Sequence, residues 1–213
     1  YTLWYAWRHR VNWPGLGDCL VVGAPLGLFF GRMANFMNGE LYGRPTSVPW
    51  AIKFPSEARD LPVETQRDIL EQAQNLAAGP VALEDVIAGS RHYAEWRDLL
   101  AGFLHPRHPS QIYEGLLEGL LLFAILWLVR TKLRTPNGVL TGVFFVGYAL
   151  LRTFGELFRH PDAGHVGLFT KGQFLSIFLL LIGIGFLVAA RLRPTFPPAL
   201  AHSAPRGDKK SQP

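Results

Sequence analysis

Four stretches of the chain run long and apolar, each interrupted or bounded in its own way. Residues 18–36 form a lean run broken by Pro25, and residues 109–129 carry Glu114 and Glu118. Residues 138–158 carry Arg152 and Glu156, whereas residues 172–190 carry no charge. A helix that crosses a bilayer needs about 20 apolar residues. On a strict hydropathy test only the fourth run is expected to qualify; the others have the length but hold ionisable groups. Such groups within a membrane turn toward a bundle interior or a wet cavity. The pattern predicts an all-α fold, a polytopic membrane helix bundle with a small helical extracytoplasmic insertion.

The order of segments follows. Residues 1–37 read as the end of an upstream helix plus a first full span, and residues 38–108 as an outer loop and insertion. Residues 109–190 hold three further spans, and residues 191–213 form a cytoplasmic tail whose prolines, serines and lysines predict disorder beyond Pro194. Within the insertion, residues 64–77 have amphipathic helical spacing, Gly79-Pro80 breaks it, and residues 83–87 and 93–100 suggest short helices. Its alternating acids and bases predict a solvated surface without a catalytic cluster. The chain begins at Tyr1 without a signal-peptide pattern, so further membrane helices are expected upstream.

Composition sharpens the class. Of 213 residues, 49% are hydrophobic and only 17% charged, against about 25% in soluble domains. The net charge is +5, and the basic residues flank the apolar runs instead of forming one patch. That distribution fits a positive-inside bias and anionic lipid contact, not nucleic acid. Arg8-His9-Arg10, the basic run at 130–134 and Arg191-Leu192-Arg193 fall on one side if the spans alternate, which makes that side cytoplasmic. Cys19 is the single cysteine, so neither an internal disulfide nor a thiolate metal cluster is available, and a packing role is expected for it.

The densest chemistry lies at residues 31–44, where Arg32, Asn35, Asn38, Glu40 and three glycines follow the first apolar run. Arg32 and Asn35 share a helical face. A charge there costs a few kcal/mol unless it is paired or wet, and glycines let backbone approach a ligand closely. This suits an anionic headgroup held where a membrane helix leaves the bilayer. A snorkelling arginine at an interfacial helix end is the plainer reading. At residues 107–114, Pro109 suits a helix start, Ser110 and Gln111 suit capping or anion contact, and His108 suits proton transfer near neutral pH. Glu114 and Glu118, four apart on one face, look inward as partners for arginines. Tyr148, Arg152, Glu156 and Arg159 draw a polar stripe down the third run, either a salt-bridge ladder or a ligand surface.

Three runs in order carry a resemblance. They are Gly-Arg-x-x-Asn-Phe-x-Asn-x-Glu-x-x-Gly-Arg, His-Pro-Ser-Gln-x-Tyr-Glu and Tyr-x-x-x-Arg-x-x-x-Glu-x-x-Arg-x-Pro-Asp, beginning at Gly31, His108 and Tyr148. Together they resemble the prolipoprotein diacylglyceryl transferases, over roughly residues 18–190. The resemblance implies a multi-pass enzyme of the bacterial inner membrane with its site on the periplasmic side. It implies transfer of diacylglyceryl from phosphatidylglycerol to the lipobox cysteine of a preprolipoprotein signal peptide, glycerol phosphate as the leaving product, and neither cofactor nor metal. Arg32, Asn35, Glu40 and Gly43 match the signature positions; Tyr148 and Arg152 match an essential pair, and Glu156 and Arg159 the positions after it. Tyr42 stands where the family commonly has tryptophan, and Ala34 where glycine is usual. The family's upstream histidine-glycine-glycine motif, whose histidine is a catalytic candidate, is not in this sequence.

On that resemblance Arg32 and Arg152 are expected to clamp the phosphate as bidentate donors, with the upstream motif's histidine, or else His108 or Glu40, as candidate acceptors of the thiol proton. Asn35, Asn38, Gly43, Tyr148, Glu156, Arg159, Ser110 and Gln111 are the expected substrate-binding set, and a lateral opening would admit acyl tails from surrounding membrane lipids. Two other classes remain open at this point. One is a non-enzymatic membrane protein that binds anionic lipid or transports a small anion; the other is a structural subunit packing through its polar stripe.

Overall fold

Helix α1 (Thr2–Arg8) leads into the long helix α2 (Trp13–Asn38) that frames the molecule. The start of α2 is set locally. The Asn12 side chain accepts the Gly15 N–H at 3.4 Å, and Pro14 occupies an early position where a missing N–H costs nothing. Its 26 residues, at about 1.5 Å each, exceed the roughly 30 Å of a bilayer's hydrocarbon core. The helix stops at Gly39, whose φ of 73° turns the chain so that Gly39 and Glu40 donate to the Phe36 and Asn35 carbonyls. Pro25 does not break it, contrary to expectation. It is buried, and a membrane helix tolerates one lost backbone bond where neighbours cover the gap. A second correction concerns Cys19, which is exposed on this helix, while the adjacent Asp18 is buried.

The computed structural model describes residues 1–9, 11–77, 79–159, 165–166 and 169–195. Arg10, Pro161 and Asp162, and the tail residues 196–213 expected to be disordered, lie outside the described residues.

The return span is continuous but not uniform. It comprises α6 (Ser110–Glu114), a π-helical stretch (Gly115–Leu121) and α7 (Leu122–Lys132). Wide turns of this kind occur where a helix accommodates a close neighbour or a functional group. Here the neighbour is α2: a β-carbon on Gly119 would lie 2.6 Å from Phe29 Cβ, and one on Gly115 3.3 Å from Arg32 Cβ. Glu114 and Glu118 therefore face α2 across a widened turn instead of a regular α-helical one. Helix α8 (Val139–Gly155) follows, then a hairpin of β1 (His165–Val166) and β2 (Phe169–Thr170), then α9 (Lys171–Leu192). Helices α8 and α9 approach through glycines: a β-carbon on Gly183 would meet the Val146 amide nitrogen at 2.9 Å, the close backbone contact that membrane helices use.

Three helical segments, Trp13–Asn38, Ser110–Lys132 and Gly172–Leu192, are long and apolar enough to cross a membrane. The expectation that only the last qualifies is corrected, because the long apolar remainders of the first two outweigh their few charges. With 17 residues, α8 is the shorter fourth member. The surface of these helices is apolar as lipid requires, with Leu20, Phe30, Leu121, Leu150, Phe154 and Leu181 exposed.

The two ends differ. At one end, Asn12 Nδ2 donates to Thr195 Oγ1 (3.1 Å), the Asn137 N–H donates to the Thr195 carbonyl (2.7 Å), and Asp18 accepts from Gly138 and Thr141. These bonds gather the start of α2, the α7–α8 turn and the end of α9, and with them the basic stretches at Arg8, 130–134 and Arg191. At the other end sits the insertion: a 3₁₀ segment (Pro55–Asp60) and helices α3 (Val63–Ala77), α4 (Leu83–Gly89) and α5 (Ala94–Phe103) around a core of Ala58, Ile69, Ala73, Val86, Leu100 and Leu104. The insertion is not only a solvated surface. Glu57 is buried and pairs with Arg107 at 2.7 Å and His105 at 3.0 Å.

Candidate active site

At the insertion end, three segments distant in sequence bring arginines onto two buried carboxylates. Arg32, near the end of α2, reaches Glu114 Oε2 at 2.9 Å and Glu118 Oε2 at 3.2 Å. Arg152 of α8 approaches Glu118 Oε1 at 3.5 Å and Glu156 Oε2 at 4.0 Å, and Arg159 approaches Glu114 Oε1 at 3.8 Å. Arg32 and Arg152 thus flank one carboxylate from different helices. Exposure separates two layers. The side chains of Glu114 and Glu118 are 1% exposed, whereas those of Arg32, Arg152, Glu156 and Arg159 are 12–17% exposed. The two innermost carboxylates hold the guanidinium groups from within. An ion-pair set of this depth gains little net stability, because desolvation offsets attraction. Its consequence is orientation: each guanidinium is held in place by its carboxylate partners.

The backbone around the cluster is equally constrained. The Gly43 N–H donates to the His108 carbonyl (2.9 Å) and its carbonyl accepts from Arg107 Nη1 (3.2 Å), while Gly43 also bridges Arg159. The Arg44 N–H donates to the Phe158 carbonyl (3.0 Å), and Arg44 Nε to the Arg159 carbonyl (2.9 Å). A β-carbon on Gly43 would stand 2.6 Å from both the His108 and Phe158 carbonyl oxygens. Gly43 is therefore the crossing point of three segments, with the space beside it filled by backbone.

Other candidates fall where the chain places them. Ser110 and Gln111 are fully buried. Their side chains donate to the Leu41 carbonyl (3.0 Å) and the Glu40 carbonyl (2.6 Å), and neither caps α6. The capping expected of Ser110 and Gln111 is thus corrected: both side chains reach back to the signature loop. His108 sits among Tyr113 and Phe158, edge-on to both at 5.9 and 5.6 Å between ring centres, with Nδ1 3.3 Å from the Tyr113 hydroxyl. That hydroxyl also accepts from Trp50 Nε1 at 2.6 Å. Glu40 and Asn38 are exposed at the end of α2, and Asn35 is half-buried one turn earlier. Tyr148 is half-buried and stacks on Phe144 at 6.0 Å between centres, one turn above Arg152 on α8. Among the described residues no group of three or more His, Cys, Asp or Glu side chains is arranged to hold a metal.

Two groups escaped sequence reasoning. Arg107 pairs with Glu57, lies 4.7 Å over the Tyr42 ring and holds the Gly43 carbonyl, so it ties the insertion to the signature loop. Burial, reinforced by a hydrogen bond to Asp60, pushes the Tyr42 phenol well above its usual value. Arg107 adjoins the His-Pro-Ser-Gln run and was legible only as a basic neighbour, since its partner lies 50 residues away. Asp18, expected only to open the first span, bonds the Gly138 N–H (2.7 Å), the Thr141 N–H (2.8 Å) and the Thr141 hydroxyl (2.8 Å), so it caps α8 from another helix.

Comparison with known proteins places this arrangement. A profile of the family described as prolipoprotein diacylglyceryl transferase matches residues 1–189. Curated relatives named phosphatidylglycerol–prolipoprotein diacylglyceryl transferase include those of Rhodospirillum centenum, 40% identical over 205 residues, and Gluconacetobacter diazotrophicus, 36% identical over 212 residues. That of Nitrosomonas europaea is 36% identical over 206 residues. The alignments cover 93%, 94% and 95% of this chain but only 58%, 59% and 58% of the respective relatives, so the chain spans less than three fifths of their length.

Proposed function

From the premise that the chain belongs to the prolipoprotein diacylglyceryl transferase family, we propose that it carries the phosphate-binding part of a diacylglyceryl transfer site. The substrates on this reading are phosphatidylglycerol and the lipobox cysteine of a preprolipoprotein, at the periplasmic face of the bacterial inner membrane. Basic stretches at the opposite end support that orientation under the positive-inside rule. The observation that carries the reading is the convergence of Arg32, Arg152 and Arg159 on the buried carboxylates of Glu114 and Glu118.

The reaction balances without a cofactor. The cysteine sulfur, having lost its proton, attacks the glycerol carbon that bears the phosphate ester. The S–C bond forms, the C–O bond breaks, and the electron pair leaves on the phosphate oxygen of glycerol phosphate. Arg32 and Arg152 neutralise the charge that grows there; donors placed for a developing oxyanion contribute roughly 2.7–4 kcal/mol each. Arg159 and Glu156 complete the clamp, and Asn35, Asn38 and Tyr148 orient headgroup oxygens. Glu40, exposed at the loop, is one candidate acceptor of the thiol proton, beside a histidine of the family's upstream motif. His108, whose Nδ1 lies 3.3 Å from the Tyr113 hydroxyl, is another. Gly43 contributes by letting the segments cross, not through a side chain.

The test is thioether formation between labelled phosphatidylglycerol and a lipobox peptide in membranes carrying the protein. Arg152→Ala is expected to abolish product, by about 100-fold or more, while the protein still inserts. Arg32→Lys is expected to remain well below the parent, because an ammonium cannot reproduce the fork. Lipid capture without turnover in the parent would favour a non-enzymatic anionic-lipid binder instead.

A further inference from the structure

The loop that leaves α2 makes two left-handed turns in three residues. Gly39 (φ 73°) is the ordinary glycine cap of a helix, but Leu41 (φ 57°) has a side chain and is the sole non-glycine with positive φ among the described residues. A left-handed backbone at leucine costs free energy and persists only where surrounding structure imposes it. What imposes it is visible: Gln111 Nε2 holds the carbonyl just before Leu41 at 2.6 Å, and Ser110 Oγ holds the Leu41 carbonyl itself at 3.0 Å. Both donors are fully buried, and Gln111 Oε1 has no hydrogen-bond partner among the described residues, so the contact to the loop is made by the amide's donating end. One turn further along the same span, Glu114 holds Arg32.

We propose that Ser110 and Gln111 are positioning residues, which lock Leu41 in its left-handed conformation and thereby fix the 39–43 loop relative to the arginine cluster. The proposal rests on the transferase reading for its activity consequence, but its structural half stands on the loop alone. Loss of either donor frees Leu41 to relax to right-handed backbone. That would carry Glu40 and Gly43 away from the cluster and loosen the Gly43 N–H from the His108 carbonyl.

The experiment uses the full chain in lipid nanodiscs and compares Ser110→Ala, Ser110→Thr, Gln111→Leu and the double variant Leu41→Gly/Ser110→Ala. Two readouts are taken: hydrogen exchange at the Gly43 and Arg44 amides, and transfer from phosphatidylglycerol to a lipobox peptide. Ser110→Ala and Gln111→Leu are expected to speed exchange, and to slow transfer, by about tenfold or more. Ser110→Thr, which keeps the hydroxyl, stays within about threefold of the parent on both readouts. Leu41→Gly adopts the left-handed turn freely and is expected to return the Ser110→Ala variant to within about threefold. Unchanged exchange in Ser110→Ala overturns the proposal. So does exchange that recovers in the double variant while transfer does not, because Ser110 would then act on substrate directly. If the parent itself transfers nothing, the transferase reading falls, and the exchange arm still decides whether these donors hold the loop.

Discussion

Gly43 and Tyr42 stand side by side and test different physics. A methyl group at Gly43 would sit 2.6 Å from two carbonyl oxygens of separate segments, and backbone on both sides cannot yield as a side-chain tip can. Gly43→Ala is expected to cost about 2–3 kcal/mol or more, read as earlier thermal unfolding, together with loss of transfer. Tyr42 is governed by burial and Asp60, which raise its phenol above the ordinary value of 10. A raised folded-state value means that stability is fully present below the unfolded value and is lost as pH rises past it. Stability should therefore fall as pH climbs above about 10, and Tyr42→Phe should flatten that alkaline decline. An equally steep decline in Tyr42→Phe would remove Tyr42 as its cause. At this scale the sequence disclosed what helical spacing can disclose. Glu114 and Glu118 as arginine partners, and Arg152 beside Glu156, follow from steps of four. Glu57 with Arg107 does not, because turns and short helices must fold before that pair exists.

Elements were legible where the apolar period is long, and misread where one element is finished by another. Helix α8 begins on Gly138, which has no side chain to cap it; Asp18, 120 residues earlier, supplies the carboxylate. No local signal announces a cap delivered from a second helix. Asp18→Ala is expected to lower stability by about 2–4 kcal/mol, from a lost cap and bonds to a charged acceptor. Asp18→Asn should recover part of this. Equal unfolding midpoints for Asp18→Ala and the parent would show that α8 needs no such cap. The π-helical stretch was hidden for a related reason: Gly115 and Gly119 matter through the approach of Phe29, which lies on another helix. Pro25, taken alone, signalled a break that neighbouring helices make unnecessary.

For the whole molecule, charge asymmetry along the chain already divided the two ends, and the structure gathers each end as that division requires. Residues joined by Asn12, Asn137 and Thr195 form the basic end; Arg32, Arg107, Gly43 and Arg159 meet at the other. What spacing alone could not reveal is that the insertion is a structural partner of the cluster, bound through Arg107 to the loop that Ser110 and Gln111 also hold. The molecule thus holds one cluster of paired arginines and carboxylates with its helices, and ties the insertion and the pinned loop beside it.

The central claim is that Arg32 and Arg152 act on one phosphate as a unit, and a double-mutant cycle on transfer rate tests it most directly. Residues acting together are grossly non-additive. Arg32→Ala and Arg152→Ala are each expected to lower transfer by about 100-fold or more, and the double variant to fall no more than about threefold below the worse single. Losses that simply multiply, or a parent-like rate in either single variant, would contradict it.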